Sequence, residues 1–137
     1  MLSLKFPRLE ALLFCDRATV DDGRTYHLVG VANQITWVGQ APFVVKGTVF
    51  VKFAASPGVH TSEVRVRRVD TGEIIARTPP SPANATVSEI TGVSIGTVPV
   101  DLSIASAGVF ALQLVLDDEL IGESLLHVTH VPRGSLG

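Results

Sequence analysis

The sequence predicts an all-β fold, an antiparallel two-sheet sandwich of about eight strands. Three observations predict it. From Phe43 to Ala54, residues Phe43, Val45, Val49, Val51 and Phe53 share one face, while Lys46, Thr48 and Lys52 share the other. Successive strand side chains point to opposite faces, so this alternation marks a strand with one buried side. Two further stripes, Val98, Val100, Leu102, Ile104 and Phe110, Leu112, Leu114, Leu116, repeat the period of two. Finally, the apolar runs are short and separated by turn residues, and no stretch sustains a helical period.

In chain order, Leu9 to Cys15 is apolar on both alternating faces, as in a strand covered on both sides. Asp21-Asp22-Gly23 is a hairpin turn, and Tyr26 to Ala32 is expected to return alongside the Cys15 strand. Gly30 marks a bulge or a close backbone approach. Ile35 and Trp37 extend that pairing or lead out of it, and Gly39 to Pro42 connects to the strand at Phe43. Ser56-Pro57-Gly58 turns the chain into a strand from Glu63 to Val69, with a bulge or end near Arg67-Arg68. Asp70-Thr71-Gly72 is a second hairpin turn, with a short strand from Glu73 to Arg77 behind it. Thr78 to Ala85 carries Pro79, Pro80 and Pro82, which cannot donate to a ladder, and reads as a loop. Val87 to Ile95 is ambiguous, broken by Gly92. In the stripe from Val98 to Ile104, Pro99 suits an edge strand or a strand start. Ser106-Ala107-Gly108 turns the chain, and Asp117-Asp118-Glu119 closes a hairpin from which Leu120 to Thr129 returns.

A chain of 137 residues with 46% hydrophobic and 18% charged residues can bury a core without disulfides or metals. The expected organisation is one domain over 1–131 and a tail at 132–137. Val131-Pro132-Arg133-Gly134-Ser135 in that region resembles the core of a thrombin cleavage tag. A formal net charge of −2 gives no support to a nucleic-acid or anionic-membrane partner. The single cysteine, Cys15, forbids an intrachain disulfide and fits a reducing compartment, so a cytoplasmic location is expected. Lys5 and Arg8 precede a short apolar run, but Glu10 and Phe14 disfavour a signal peptide. No apolar run approaches bilayer-spanning length.

Two blocks carry a family resemblance: Leu12 to Asp16, Asp22-Gly23 and His27 to Val31; then Ala107 to Phe110 running into Leu114 to Leu120. Together they resemble a family of small bacterial β-sandwich proteins of unknown function. Its members open with an apolar-Cys-Asp block and close with a Gly-x-aromatic hairpin. The resemblance implies an immunoglobulin-like sandwich in a bacterial cytoplasm and brings no catalytic residues with it.

The residues that could carry chemistry are few. Cys15 would need a base to become a nucleophile, and His27 is the candidate if its strand pairs with that of Cys15; the competing reading is a buried structural thiol. His27, His60, His127 and His130 are too scattered for a zinc site, and His127 and His130 fall on opposite strand faces. The acidic turns Asp21-Asp22 and Asp117 to Glu119 could bind Ca²⁺ or simply be turn chemistry. Arg65, Arg67, Arg68 and Arg77 converge if the strands around Asp70 to Gly72 pair, giving either a basic patch or a solvated sheet face. Asn84-Ala85-Thr86 matches a glycosylation triplet but has no secretion signal to support it. No nucleophile elbow, phosphate-binding loop or zinc-protease signature is present.

The reading that follows is a non-catalytic, cofactor-free module that binds a protein partner or a second copy of itself. Trp37, Val44 and Phe50 are its candidate interface residues on an exposed face, with Arg65, Arg67 and Arg77 as a second group. The alternative is a small-molecule or lipid binder with an apolar pocket between the sheets. A cysteine-dependent enzyme ranks third. A deep apolar pocket favours the second reading, a flat apolar patch the first, and a solvent-open contact between Cys15 and His27 the third.

Overall fold

A computed structural model describes residues 7–21, 25–40, 42–88 and 91–131, without the side chains of 84–88 and 91–93. The described residues form eleven strands and no helix. They are β1 (Arg8–Cys15), β2 (Arg17–Asp21), β3 (Thr25–Val29), β4 (Gln34–Val38), β5 (Phe43–Ala55), β6 (Gly58–Arg68), β7 (Ile74–Arg77), β8 (Ser81–Ser88), β9 (Thr91–Ile104), β10 (Gly108–Leu116) and β11 (Glu119–Val131). The architecture is the expected all-β sandwich, with more strands than the stripes alone suggest.

One layer is β1-β5-β9, and the other is β4-β11-β10-β6-β7. β8 joins them, because Ser81 to Ala85 pairs with β6 and Thr86 to Ser88 pairs with β9. The hydrogen-bonded path therefore runs β1-β5-β9-β8-β6-β10-β11-β4, a sheet folded over on itself. β8 closes one side. On the other side the outer edge of β1 faces β11 across a seam.

The stripes build the core. Val49, Val51 and Phe53 of β5, Val100, Leu102 and Ile104 of β9, and Phe110, Leu112, Leu114 and Leu116 of β10 are all buried in one cluster. β10 is buried on its second face too, at Ala111, Gln113 and Val115, and is paired on both edges, with β6 and β11. Asp117 and Asp118 take φ of 50° and 66°, the left-handed pair that a two-residue hairpin turn requires.

Four expectations are corrected. Tyr26 to Val29 does not return alongside β1; it pairs with β2 in a separate two-stranded sheet, and β1 pairs with β5. The cause is a bend at Asp16. The amide of Asp16 donates to the Val29 carbonyl at 2.9 Å, and Gly30 (φ +71°) passes so close that an added Cβ would lie 2.5 Å from Asp16 Oδ2. The pairing is not wholly antiparallel, since β4 lies parallel to β11. The region from Thr78 to Ala85 is not all loop, because β8 begins at Ser81. Pro82 is accommodated there because that half of β8 pairs on one edge, with β6. Pro99, by contrast, sits opposite Thr48 with β5 on one side, as expected of an edge position. The fourth correction is the strand count. The short strands β2, β4 and β8 lack a long alternating stripe, and the sequence merged or missed them. Gly23, Asp22 and the tail at 132–137 lie outside the described residues.

Candidate functional site

The seam between β1 and β11 holds a cleft of about 330 Å³. Its floor is core: Leu12, Phe14, Leu112 and Leu126 are each 5% exposed or less. Its rim is formed by Leu13 (37% exposed), Val31 (51%) and Leu125 (48%). Three local features create it. β1 alternates so that Leu12 and Phe14 point inward while Leu13 points out. Gly47 lacks a side chain where the Phe14 ring passes, and a Cβ there would lie 2.3 Å from Phe14 Cζ. The chain leaving β3 then crosses the seam through Val31, Ala32 and Asn33 on its way to β4.

Several polar groups at the cleft are already engaged. Ser124 Oγ donates to the Leu12 carbonyl at 2.9 Å, tying β11 to β1. The Ala32 amide donates to the Phe14 carbonyl at 2.9 Å, and the Asn33 carbonyl accepts from the His127 amide at 2.8 Å. Among the described residues no charged side chain lines the cleft. What remains is an apolar surface, suited to binding by exclusion of water and poorly suited to proton transfer.

The residues singled out in the sequence lie elsewhere. Trp37 is a correction: it is 1% exposed, stacked between Phe43 (centroids 5.4 Å apart) and His130 (4.0 Å), and so belongs to the interior. Phe50 is part-covered by the β2–β3 hairpin, with the Tyr26 ring edge-on at 5.4 Å and the Tyr26 hydroxyl donating to the Ile95 carbonyl at 3.3 Å. Val44 is 55% exposed but stands apart from both. The structure therefore does not gather Trp37, Val44 and Phe50 into one surface.

The arginines do converge, though not as a free basic patch. Arg65 and Arg77 face each other across β6 and β7, and both Nε atoms lie 2.9 Å from Glu63 Oε1. Glu63 is nearly buried, so two guanidiniums offset the cost of its charge. Arg67 lies two residues further along β6. Arg68 turns away to Asp70 (2.7 Å), to the carbonyls of Ser106 and Ala107, and over the Phe110 ring.

Cys15 is fully buried, with its Sγ donating to the Thr48 carbonyl at 3.3 Å. Burial pushes its thiol pKa up, and the neighbouring Asp16 adds to the rise, so thiolate is disfavoured. His27 faces Asp21 (2.6 Å) on the hairpin and does not partner Cys15. His127 is exposed and His130 is turned inward against Trp37, on opposite faces as expected. Among the described residues, no group of three or more His, Cys, Asp or Glu is placed to hold a metal ion. The glycosylation triplet's side chains lie outside the described set.

Sequence reasoning missed the cleft. Its rim residues Leu13 and Leu125 each sit beside an inward-pointing leucine, so they broke the alternation without announcing a site.

Among the described residues no helix is long and apolar enough to cross a membrane. No curated protein matches the chain. Among solved structures, the CARDB domain of the PF1109 protein from Pyrococcus furiosus, in complex with di-metal ions, is similar at 13% identity and a TM-score of 0.48, over 96% of this chain and 94% of that one. The alkylpurine DNA glycosylase AlkC of Pseudomonas fluorescens, bound to DNA containing an abasic site analog, is similar at 11% identity and a TM-score of 0.42. That match covers 70% of this chain and 27% of the glycosylase. A family of unknown function (DUF6941) matches residues 10–129, nearly the whole described sandwich including both walls of the seam, and the chain belongs to that family.

Proposed function

We propose that this domain is a non-catalytic binding module whose ligand is a small apolar molecule held in the seam cleft. The observation that carries the reading is the cleft itself, about 330 Å³ with a floor of core leucines and a phenylalanine. That volume lies at the lower end of small-ligand sites, which are concave and mostly apolar. Its size suits a short aliphatic chain or one to two rings. The single buried thiol fits a module working in a reducing, cytoplasmic setting.

A second reading is supported by the rim. Leu13, Val31 and Leu125 expose apolar surface around the same opening, as an interface anchored by one inserted side chain would. The partner would then be another protein or a second copy of the chain.

The test is an amide chemical-shift titration with a defined set of apolar probes: indole, naphthalene and straight-chain alcohols of six to ten carbons. Saturable shifts at Leu13, Ala32, Asn33 and Leu126 are expected, weakened at least about tenfold in Ala32→Trp, which fills the mouth. Shifts that do not saturate, that map elsewhere, or that survive Ala32→Trp would overturn the small-ligand reading. Light scattering on concentrated protein separates the second reading. A dimer dispersed by Leu125→Arg would support an interface at the rim.

A further inference from the structure

At the end of the sandwich where β5 passes to β6, the His60 ring is held between two turns. Its side chain is 12% exposed. Nδ1 lies 2.6 Å from Asp117 Oδ2 in the β10–β11 turn, and Nε2 lies 2.6 Å from the Ser56 carbonyl in the β5–β6 turn. The Phe53 ring stands edge-on at 6.5 Å. The carboxylate is fixed by more than the histidine. Thr61 donates its amide to Asp117 Oδ1 at 2.9 Å, and the Asp117 amide donates back to the Thr61 carbonyl at 2.8 Å. Beside the ring is a hollow of about 250 Å³ reached by Pro7, Leu116 and Glu119.

A neutral imidazole has one donor nitrogen and one acceptor nitrogen. Here both nitrogens face groups that only accept: a peptide carbonyl and an ionised carboxylate. Both contacts can be hydrogen bonds only if both nitrogens carry protons. In the neutral ring, one of the two contacts sets lone pair against lone pair at 2.6 Å.

We infer that His60 is a proton-dependent latch, held as imidazolium in the folded domain, that clamps the β5–β6 turn to the β10–β11 turn and closes this end of the sandwich. Among the described residues the charged group facing the ring is Asp117 from the β10–β11 turn, and Glu119, at the start of β11, lines the hollow beside it. The Asp117 carboxylate favours the cation. The ring's pKa is raised by the Asp117 bond first and the Ser56 carbonyl second, against a smaller opposing effect of burial. The carboxyl of Asp117 is correspondingly lowered, by His60 and then by the Thr61 amide.

The direction of the pH effect follows. A histidine raised in the folded state stabilises fully below its unfolded value of about 6.5, and the contribution is lost as pH rises through the folded value. An aspartate lowered in the folded state stabilises above its unfolded value of about 3.9 and loses that contribution as pH falls. The latch is strongest between those limits and opens on the alkaline side.

Long-range proton–nitrogen correlation spectra of the intact protein test this. Both His60 ring nitrogens should show imidazolium shifts on the acid side of a titration midpoint that lies above the ordinary value of about 6.5. The melting temperature should fall as pH is raised through that midpoint, and Asp117→Asn should lower the midpoint. A midpoint at or below the ordinary value, or a ring that carries only one proton below its midpoint, would overturn the inference whether or not substituted proteins fold. A folded His60→Gln protein whose melting temperature falls equally over the same window would overturn it as well.

Discussion

Replacing Gly47 with alanine should destabilise the domain, although Gly→Ala in a strand ordinarily helps. The added methyl would lie 2.3 Å from Phe14 Cζ, 2.8 Å from Phe14 Cε2 and 3.0 Å from the Cys15 carbonyl oxygen. The ring cannot swing clear, because Phe14 is 5% exposed and packed in the core, and the carbonyl belongs to the β1 backbone paired with β5. Overpacking of this kind costs about 1–3 kcal/mol. The smaller entropy of the unfolded alanine chain returns about 0.4–1 kcal/mol. The net is a loss of up to about 2.6 kcal/mol, centred on about 1.3 kcal/mol, or a melting temperature about 4 °C lower at that centre in a domain of this size. Gly96→Ala on β9 is the control: no atom lies within 4 Å of its added Cβ, so it should be neutral or slightly stabilising. Urea unfolding of the two single variants and of Gly47→Ala with Phe14→Leu completes the test. Shortening Phe14 should make alanine at 47 tolerable, giving a coupling of about 0.5 kcal/mol or more. A Gly47→Ala protein as stable as Gly96→Ala, or strict additivity with Phe14→Leu, would refute the packing argument and with it the account of how the cleft wall forms.

Two further outcomes are expected. Trp37→Ala should cost about 3–5 kcal/mol, a large share of a typical domain's stability, because it empties the stack between Phe43 and His130. A loss under about 0.5 kcal/mol in urea unfolding would instead fit an exposed surface residue. Cys15 should react with a thiol reagent on the unfolding timescale and not before, since it is fully buried and its thiolate is disfavoured. Rapid native labelling, insensitive to added denaturant, would show that the thiol is not covered.

Where a strand has one wet face, its alternation is visible in the sequence, and β5 and the second half of β9 are legible for that reason. β10 was visible through Phe110 to Leu116 even though its second face is also buried, because Ala111, Gln113 and Val115 differ enough in character to leave the stripe standing. The turns were legible where backbone geometry restricts the residue, as at Asp117-Asp118. Legibility failed where pairing depends on partners distant in the chain. Nothing local says that β4 runs parallel to β11, and nothing in Ser81 to Ser88 says that one strand changes partner from β6 to β9 halfway along. Trp37 was misplaced for a related reason. Its neighbours Gln34, Thr36 and Val38 are exposed, and only the stack with Phe43 and His130 reveals that the strand's alternate residues face inward.

The candidate site was hidden by the same non-locality, carried further. Leu12 and Ser124, which bridge the seam, are 112 residues apart. Ser124 belongs to no motif, and Leu12, although it opens the apolar-Cys-Asp block, is there one apolar residue among several. The cleft exists because of how the sheet closes. β8 pairs with both layers and seals one side, so the ladder has its free ends at β1 and β4, and the opening falls on the side opposite β8. There the core is covered by side chains and by the crossing segment from Val31 to Asn33 instead of by a paired strand. An apolar opening at such a place follows from topology before it reflects any ligand. What makes this one a candidate site is that Leu13, Val31 and Leu125 are exposed together around its rim. That surplus of exposed apolar surface, and not the cavity alone, is what the titration with apolar probes examines.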